Sequence, residues 1–262
     1  MKLNNIKNVF ISGASKGIGF ELAKKYLTNH INVFCVARNT TPIATWAEEQ
    51  DLSDYVQTFN CDLSEISANR KLISELNKID FDIIINNAGF SVFGMFDTTN
   101  IDDELNLIDL NIKSLQFMTK YFFLKYHKTT TEKRIINMAS IAAFQPGPLH
   151  ATYFASKSYV LNFSCAINFE LQQQKSKLKV ISLCPGPIET DFWNRAQYQS
   201  KKLPPGSMNV TKFTKIAFKK INQTKKDVVL IGNKNKINVF FTKHLPRKIV
   251  LKQVYKMQKS GL

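Results

Sequence analysis

The stretch NVFISGASKGIGF, residues 8–20, decides the prediction of the fold. Its first five residues, Asn8–Ser12, predict a buried strand, and a helical segment begins near Ile18. Glycines between them allow a tight turn and let the backbone approach a pyrophosphate, whose charge meets free N–H groups at the helix N-terminus. Small residues also occur in ordinary turns, so the motif alone is a weak signal. Its position between the first strand and a helix favours dinucleotide binding.

The rest of the chain repeats this alternation of short apolar runs and longer segments of helical period. The predicted strands are Asn8–Ser12, Ile31–Val36, Tyr55–Asn60, Phe81–Asn86, Arg134–Ser140, Leu178–Cys184 and Asp227–Ile231. The predicted helices are Ile18–Asn29, Ile43–Gln50, Glu65–Lys78, Asp102–His127, Ala151–Gln174 and Lys212–Ile221. This order is typical of βαβ units and a parallel sheet covered on both faces. We predict one α/β domain over residues 1–262, with one long loop at Asn194–Asn209.

The charge of the chain is unevenly distributed. The 262 residues include 36 Lys and Arg against 20 Asp and Glu, a formal net charge of +16. Residues 201–262 hold 16 of the basic residues and one acid, Asp227, which leaves +1 for residues 1–200. An apolar fraction of 44% supplies a buried core and excludes disordered and collagen-like architectures. The basicity therefore belongs to a C-terminal extension, which we place at residues 233–262.

Cysteine and histidine are scattered, which argues against a metal site. Cys35, Cys61, Cys165 and Cys184 form no C-x-x-C pair, and the four histidines form no H-E-x-x-H motif. Buried free thiols in a reducing compartment are the favoured interpretation. The apolar run near the N-terminus is too short for a signal peptide, and no run approaches the ~18 apolar residues of a membrane span. We expect a cytoplasmic protein that binds no metal.

The end of the second strand predicts the type of dinucleotide. An acid here, about 20 residues after the glycines, would accept hydrogen bonds from the ribose 2′-hydroxyl of NAD. This chain has Arg38 instead, with Lys16 in the glycine turn as a second cation. Two cations favour a 2′-phosphate and hence NADP over NAD. The alternative is two solvated surface cations.

Further polar residues lie at or beyond the ends of later strands. They are Asn86-Asn87-Ala88-Gly89, Ser140, and Tyr153 with Lys157 one helical turn later. Taken singly, these are a strand end, a turn cap and a common helical pair. Together they occupy the edge where open α/β sheets bind their ligands.

In this order and spacing the motifs resemble the short-chain dehydrogenase/reductase family, over roughly residues 7–232. The resemblance extends through Asp62, Asn111 and the segment Pro185–Thr190. It implies a Rossmann-like, doubly wound, seven-stranded parallel sheet with helices on both faces, and a nicotinamide cofactor. It also implies a catalytic tetrad of Asn111, Ser140, Tyr153 and Lys157. The chain departs from the family in the cofactor turn at Ser12, where Thr is usual and the hydroxyl is retained.

The chemistry implied is hydride transfer between nicotinamide C4 and a carbonyl carbon. Tyr153 would protonate the developing alkoxide, and Ser140 would hold the oxygen. A phenol with a pKa of about 10 suits neutral pH poorly. The charge of Lys157 would favour the phenolate and its side chain would hold the nicotinamide ribose, while Asn111 would organise a relay water.

Cofactor contacts follow from the resemblance at matching positions. An N-cap is the alternative for Asp62 or Thr190, and a turn for Asn87. The predicted cofactor-binding residues are Gly13, Ser15, Lys16, Gly17, Ile18, Gly19, Arg38, Asp62, Leu63, Asn87, Ala88, Gly89, Tyr153, Lys157, Pro185, Gly186, Ile188 and Thr190.

Aromatic residues in three segments predict a lipophilic carbonyl substrate. The segments are Phe90–Phe96, Ile141–His150 and Phe192–Ser207. Some of their rings, such as Phe93 and Phe144, could instead pack in the core. The predicted wall residues are Phe90, Phe93, Phe96, Phe144, Phe192, Trp193 and Tyr198.

The C-terminal segment Leu245–Gln258 predicts an amphipathic basic helix. Its lysines share one sector of the helix, opposite an apolar stripe. The lysines are Lys248, Lys252, Lys256 and Lys259, and the stripe consists of Val250, Leu251, Val254 and Met257. Such a helix would dock on the enzyme, lie on a membrane, or attract acyl-CoA or acyl carrier protein. The segment starting at Leu245-Pro246-Arg247-Lys248 resembles extensions of bacterial reductases that are similar to eukaryotic enzymes acting on 3-oxoacyl and steroid-type ketones.

The leading hypothesis is an NADP-dependent oxidoreductase acting on a lipophilic ketone, aldehyde or 3-oxoacyl compound. The alternative is a catalytically silent NADP-binding sensor or scaffold. Nucleic-acid binding is disfavoured because a recognition module is missing. The family resemblance implies a homodimer or homotetramer formed through Asp102–His127 and Ala151–Gln174. The alternative is that the C-terminal extension covers the same apolar faces.

Overall fold

The computed structural model describes residues 1–196, 198, 203–204 and 206–259. Seven parallel strands form the central sheet in the order β3-β2-β1-β4-β5-β6-β9. They are β1 (Asn8–Ser12), β2 (Asn32–Ala37), β3 (Val56–Asn60), β4 (Ile83–Asn86), β5 (Lys133–Met138), β6 (Leu178–Cys184) and β9 (Val228–Leu230). Strands β7 (Ile188–Glu189) and β8 (Met208–Asn209) form a separate short pair. The predicted Rossmann-like sheet is confirmed, while the single-domain interpretation stays a prediction.

Helices connect the strands and cover the sheet. Those before β6 are α1 (Gly17–Leu27), α2 (Thr41–Glu49), α3 (Ile66–Leu76), α4 (Ile101–Ile108), α5 (Leu115–Tyr126) and α6 (Ala151–Gln173). Those after it are α7 (Phe192–Arg195), α8 (Val210–Gln223), α9 (Asn233–His244) and α10 (Arg247–Gln258).

Side chains alternate across the strands, so the sheet has a core on each face. In β1, Val9 and Ile11 point to the face covered by α1 and α8, where they join Phe213. Phe10 points to the opposite face and packs with Phe122 of α5. Both faces are therefore dry, which explains the nearly continuous apolar runs of the strands.

The sheet reverses its winding direction beside β1. Strand β1 pairs with β2 on one side and with β4 on the other. Connections therefore leave the carboxyl ends of β1 and β4 in opposite directions and open a crevice between them. The glycine turn and the Asn87 loop lie at this crevice, as the sequence predicts.

Two predicted elements differ from the structure. The helix predicted over Asp102–His127 is interrupted by a π-helical segment, Asp109–Ser114, between α4 and α5. Such π-helical turns are rare and short, so a helical period counted over the whole segment does not show them. The strand predicted to end at Ser140 ends at Met138, because Ser140 caps the 3₁₀ turn Ile141–Phe144 through its side chain.

The predicted loop Asn194–Asn209 also contains structure at its ends. Helix α7 ends at Arg195, and β8 occupies Met208–Asn209. The positions 197, 199–202 and 205 of this prediction lie outside the described residues.

Replacement of Phe81, which precedes β4, tests the core on the α5 face. Its ring is fully buried, with centroids 5.0 Å from Phe34, 5.7 Å from Phe122 and 6.0 Å from Phe10. We expect Phe81→Ala to lower the free energy of unfolding by about 3–5 kcal/mol in urea denaturation. The matched control, Phe96→Ala at an exposed ring, should change it by less than about 0.5 kcal/mol. Equal effects would contradict this assignment of the core.

Candidate active site

The glycine turn after β1 packs against the loop after β4 too closely for side chains. A Cβ at Gly13 would lie 2.8 Å from the Cα of Ala88, and one at Gly19 would lie 2.3 Å from the carbonyl oxygen of Gly13. Gly13 also has a φ of +68°, which L-residues rarely adopt. The turn can therefore present backbone N–H groups at the start of α1 to an anion.

Ser12 and Asn87 join this turn to the neighbouring loop. The Ser12 hydroxyl accepts hydrogen bonds from the backbone N–H groups of Asn87 and Ala88, at 3.0 and 3.1 Å. The Asn87 amide donates in return to the carbonyl oxygens of Ser12 and Gly13, at 3.0 and 3.1 Å. The hydroxyl retained at position 12 thus has a structural partner, which explains why Ser can serve there in place of Thr.

Ser140, Tyr153 and Lys157 meet beyond the end of β5. Ser140 follows the strand, while Tyr153 and Lys157 lie one turn apart on α6. The Lys157 ammonium donates to the carbonyl oxygen of Met138 at 2.9 Å and lies 5.7 Å from the centre of the Tyr153 ring. The Ser140 hydroxyl accepts from the N–H of Ala142 at 3.1 Å. A hydroxyl, a phenol and an ammonium group are therefore grouped at one place.

Burial controls the protonation of this group. It raises the pKa of Tyr153 to about 12, although a hydrogen bond with Ser140 acts in the opposite direction. Burial also lowers the pKa of Lys157 to about 8. At neutral pH the phenol therefore keeps its proton and the lysine keeps its charge. This combination is suited to donating a proton to a developing oxyanion.

Asn111 lies in the π-helical segment, and its side-chain amide makes three hydrogen bonds with protein groups. Its amide accepts from the N–H of Phe90 at 3.1 Å and donates to the carbonyl oxygen of Phe90 at 2.9 Å. It also donates to the Ser156 hydroxyl at 3.2 Å. These bonds fix the chain just after Gly89, so the side chain positions the loop. A relay water organised by Asn111 stays a prediction.

The cavity at the crevice has a volume of about 430 Å³. Two predicted residues, Gly19 and Asn111, are not part of the cavity lining. Gly19 supports the glycine turn, and Asn111 holds the loop at Phe90. The predicted residues that line it are Gly13, Ser15, Lys16, Gly17, Ile18, Arg38, Asp62, Leu63, Asn87, Ala88, Gly89, Ser140, Tyr153, Lys157, Pro185, Gly186, Ile188 and Thr190.

One end of the cavity carries a charged cluster that includes a cation the sequence analysis missed. Burial raises the pKa of Asp62, but hydrogen bonds from Ser64 and the charges of Arg38 and Arg195 outweigh it, and the net pKa is lowered. Arg195 stacks over the ring of Phe90, 4.5 Å from its centre. Arg195 lies far along the chain from Arg38, so local motif spacing could not have pointed to it.

Lys16 forms an ion pair with Asp191 across the cavity. Its positive charge is therefore shared with a carboxylate, which the sequence prediction of two cations did not include. Both side chains are about half exposed, so solvent weakens this pair. Of the two predicted cations, Arg38 forms no salt bridge with an acidic side chain among the described residues, and it is the stronger candidate for a phosphate contact.

The aromatic prediction holds for part of the cavity wall. Phe192 and Trp193 line it, together with Phe154 of α6. Phe93 instead packs on Tyr198, with ring centres 5.1 Å apart. The other predicted wall residues are also elsewhere, with Phe90 beneath Arg195, Phe144 beneath Lys243 and Phe96 exposed.

His150 ends the predicted wall segment Ile141–His150 and lines the cavity, although the sequence assigned it no role of its own. Burial lowers its pKa to about 4, so the ring is neutral at physiological pH. Its Nδ1 lies 2.7 Å from the Ser91 hydroxyl and 3.1 Å from the carbonyl oxygen of Val92. Its place in the sequence, one helical turn before the predicted acid Tyr153, could have identified His150 as a wall residue.

The C-terminal helices also reach the cavity. Val250 and Val254 are buried against Ala142 and Phe154, so α10 docks through its apolar stripe. Asn235 and Asn238 of α9 and Met257 and Gln258 of α10 line the wall. Gly186 accommodates this approach, since a Cβ there would lie 2.3 Å from the Asn235 amide nitrogen. These contacts are distant in sequence, so a pattern in the helix alone could not place them.

The described residues also bear on metal binding and on membrane spanning. Within that part of the chain, no group of three or more His, Cys, Asp or Glu side chains is arranged to hold a metal ion. The described helices also include none with the length and apolar character needed to cross a bilayer.

Comparison with known proteins matches the family predicted from the motifs. The model of the family described as short chain dehydrogenase matches residues 7–201. An uncharacterized oxidoreductase of Staphylococcus epidermidis is 27% identical over 205 residues, which cover 75% of this chain and 84% of the relative. The 17-beta-hydroxysteroid dehydrogenase type 3 of Mus musculus is 30% identical over 180 residues, covering 66% of this chain and 57% of the relative.

Solved structures show the same fold at lower identity. A short-chain dehydrogenase from Sphingobium yanoikuyae in complex with NADPH has a TM-score of 0.77 at 23% identity, covering 91% of this chain and 94% of that one. A short-chain dehydrogenase/reductase from Burkholderia phymatum in complex with NAD has a TM-score of 0.80 at 17% identity, covering 92% and 94%. With the family match spanning most of its length, the chain belongs to the short-chain dehydrogenase family and is an oxidoreductase.

Proposed function

We propose that the protein is an NADP(H)-dependent oxidoreductase that interconverts a carbonyl and an alcohol on a lipophilic small molecule. The observation that carries the proposal is the meeting of Ser140, Tyr153 and Lys157 in the same cavity as the glycine turn. A proton donor and a dinucleotide cradle in one cavity are the two parts that carbonyl reduction requires.

The cradle fits a dinucleotide. It offers a turn without room for side chains, next to cations that match phosphate groups. Bound nicotinamide would supply the hydride to the carbonyl carbon or accept it from the alcohol carbon. Among the residues of the chain, Lys157 has ammonium protons beyond the one given to Met138 and can hold a ribose hydroxyl.

Side chains of the protein would bind the carbonyl oxygen of the substrate and protonate it. The Ser140 hydroxyl would donate a hydrogen bond to the carbonyl oxygen, and the Tyr153 phenol would transfer its proton as negative charge develops there. The Lys157 charge stabilises the phenolate left behind, because the apolar surroundings screen it little. In alcohol oxidation the same groups act in reverse, with phenolate as the base.

The preference for NADP is supported by Arg38 together with Arg195. Both guanidinium groups lie near Asp62 at one end of the cavity, where a 2′-phosphate would receive charge-assisted hydrogen bonds. Among proteins similar to this chain, one bound NADPH and another bound NAD, so the preference rests on these residues.

A lipophilic substrate is supported by the mixed character of the remaining wall. Phe154, Phe192, Trp193 and Met257 supply apolar surface, and Gln145 and Gln258 supply polar groups. A similar protein is named very-long-chain 3-oxoacyl-CoA reductase, and the Mus musculus relative acts on a hydroxysteroid by its name. A panel of ketones, aldehydes and 3-oxoacyl compounds with NADPH tests this class. Cofactor binding without turnover would favour a silent sensor or scaffold.

We further propose a homodimer or homotetramer formed through α5 and α6, in the cytoplasm. Leu124 of α5 and Phe169 of α6 are exposed on these helices, which leaves apolar surface for a second copy. Sedimentation of the full chain measures this state.

Removal of the Tyr153 hydroxyl tests the assignment of the acid. We expect Tyr153→Phe to lower kcat roughly one hundred- to ten-thousandfold while NADPH binding is retained, because only proton transfer is lost. The control is Tyr159→Phe on the same helix, whose hydroxyl lies on the surface and donates to Gln116 at 2.6 Å. Wild-type turnover by Tyr153→Phe would refute the mechanism.

The pH profile of reduction tests the role of Lys157. Because burial lowers the pKa of Lys157 to about 8, its charge is present below that pH and is lost above it. We therefore expect kcat/KM for carbonyl reduction to fall as the pH rises through about 8. A Lys157→Arg variant, whose guanidinium stays charged, should lose this fall even if it is slower. A wild-type profile that stays flat to pH 10 would contradict the assignment.

Reversal of charge at position 38 tests the preference for NADP. We expect Arg38→Asp to lower the ratio of kcat/KM for NADPH to that for NADH roughly 10- to 100-fold, since a charged hydrogen bond is lost and a repulsion is added. The control is Lys71→Asp, at an exposed position of α3. An unchanged ratio would mean that Arg38 is only a solvated surface cation.

A further inference from the structure

Helix α9 has an apolar face directed away from the enzyme. Val239 is buried, whereas Ile237, Phe240 and Phe241 are exposed by 58%, 59% and 55%. Their spacing of three and four residues places the exposed three on one side of the helix, opposite Val239. Large side chains grouped in this way on a surface indicate an interaction site.

Helix α10 adds a basic face next to it in the chain. Its buried residues, Val250 and Val254, attach it to the wall of the cavity. At about 100° per residue, Lys248, Lys252 and Lys256 fall on the opposite side, and all are exposed. Basic residues on the outer face and large apolar residues nearby are typical of helices that lie in a membrane interface.

The two helices form what we term the C-terminal surface, the exposed residues of α9 and α10. Residues 233–259 contain eight Lys and Arg residues, and the chain has no Asp or Glu after Asp227. A symmetric contact with a second copy would place these charges against each other, which disfavours a dimer interface here. The lysines of the C-terminal surface therefore favour a partner with negative charge. The exposed side chains of α9 favour a partner that also offers apolar surface.

We propose that the C-terminal surface docks the enzyme on anionic lipid bilayers, with the lysines at the headgroups and Ile237, Phe240 and Phe241 inserted among the acyl chains. A bilayer with negatively charged headgroups offers both features at once. An acidic carrier protein would match the lysines but would not need three large apolar side chains exposed on the preceding helix.

Docking in this way would also bring the cavity close to the bilayer. Asn238 follows Ile237 in α9, and Met257 follows Lys256 in α10, and both Asn238 and Met257 line the cavity wall. The helices that meet the bilayer thus also border the cavity. The docking proposal rests on the proposed function and specifies its substrate class. The substrate is a carbonyl compound that partitions into membranes.

Vesicle co-sedimentation of the full chain tests the docking. With vesicles of phosphatidylcholine and phosphatidylglycerol we expect binding at about 0.1 M salt that weakens strongly by about 0.5 M. Vesicles of phosphatidylcholine alone should bind far less. Equal binding to the two compositions, or no binding to either, would overturn the proposal. Capture by an acidic acyl carrier protein without binding to vesicles would overturn it in favour of that partner.

Paired substitutions distinguish binding through the C-terminal surface from nonspecific binding to vesicles. We expect Lys252→Gln with Lys256→Gln to weaken binding roughly 30-fold, and Phe240→Ser with Phe241→Ser to weaken it at least roughly tenfold. The charge control is Lys71→Gln with Lys78→Gln. The apolar control is Phe96→Ser with Ile101→Ser, whose side chains are 75% and 65% exposed and lie outside both helices. Comparable losses in the controls would refute the assignment of the surface.

The vesicle assay needs neither cofactor nor substrate, so its outcome is separable from the proposed function. Tyr153→Phe should bind vesicles like the wild type. Where turnover is found, Phe240→Ser with Phe241→Ser should lower kcat/KM for a vesicle-embedded ketone at least roughly tenfold and leave that for a water-soluble aldehyde unchanged. An equal loss on both substrates would place the effect in the cavity and contradict a docking role.

Discussion

The hydroxyl of Ser12 and the amide of Asn87 exchange four hydrogen bonds with the backbone, and the site depends on this exchange. It joins the ends of β1 and β4 at the point where the sheet reverses its winding. Loss of these partners would leave partly buried N–H and C=O groups unsatisfied, at up to about 1–3 kcal/mol each. The contact also explains the tolerance for Ser at position 12, since the hydroxyl carries the bonds and the methyl group of Thr is not required for them.

The chemical part of the site follows from a second constraint, which is the burial of Tyr153 and Lys157 on one helix. An exposed lysine beside a phenol would be screened by water and would alter its pKa little. Here the ammonium is buried and anchored to the carbonyl oxygen of Met138, so its direction is fixed. The same burial that raises the pKa of the phenol also strengthens the field of the lysine. An anion formed on Tyr153 therefore has a stabilising charge ready before the reaction begins.

The features that the sequence predicts correctly are those with a local cause. The seven strands are visible because both sheet faces are dry, and the glycine turn because it permits no Cβ. Features that depend on distant contacts could not be predicted in this way. Arg195 enters the charged cluster through the path of the loop after β6, and Gln258 reaches the cavity because α10 folds back on Phe154. Phe96 was wrong as a wall residue, and Phe144 followed the alternative of packing in the core, since aromatic content does not state which way a ring faces.

In helix α10 the apolar stripe stabilises the fold, whereas the lysines do not. With 12 residues it would be marginal alone in water, and the lysines four residues apart repel by about 0.2–0.5 kcal/mol per pair. Burial of Val250 and Val254 contributes roughly 1.5–3 kcal/mol for each side chain, so docking on the enzyme outweighs the repulsion and maintains the helix. The apolar stripe thus accounts for the fold of α10 and for its place in the cavity wall. The row of lysines opposes that fold slightly and does not line the cavity, so its charge is directed to whatever approaches the outer face.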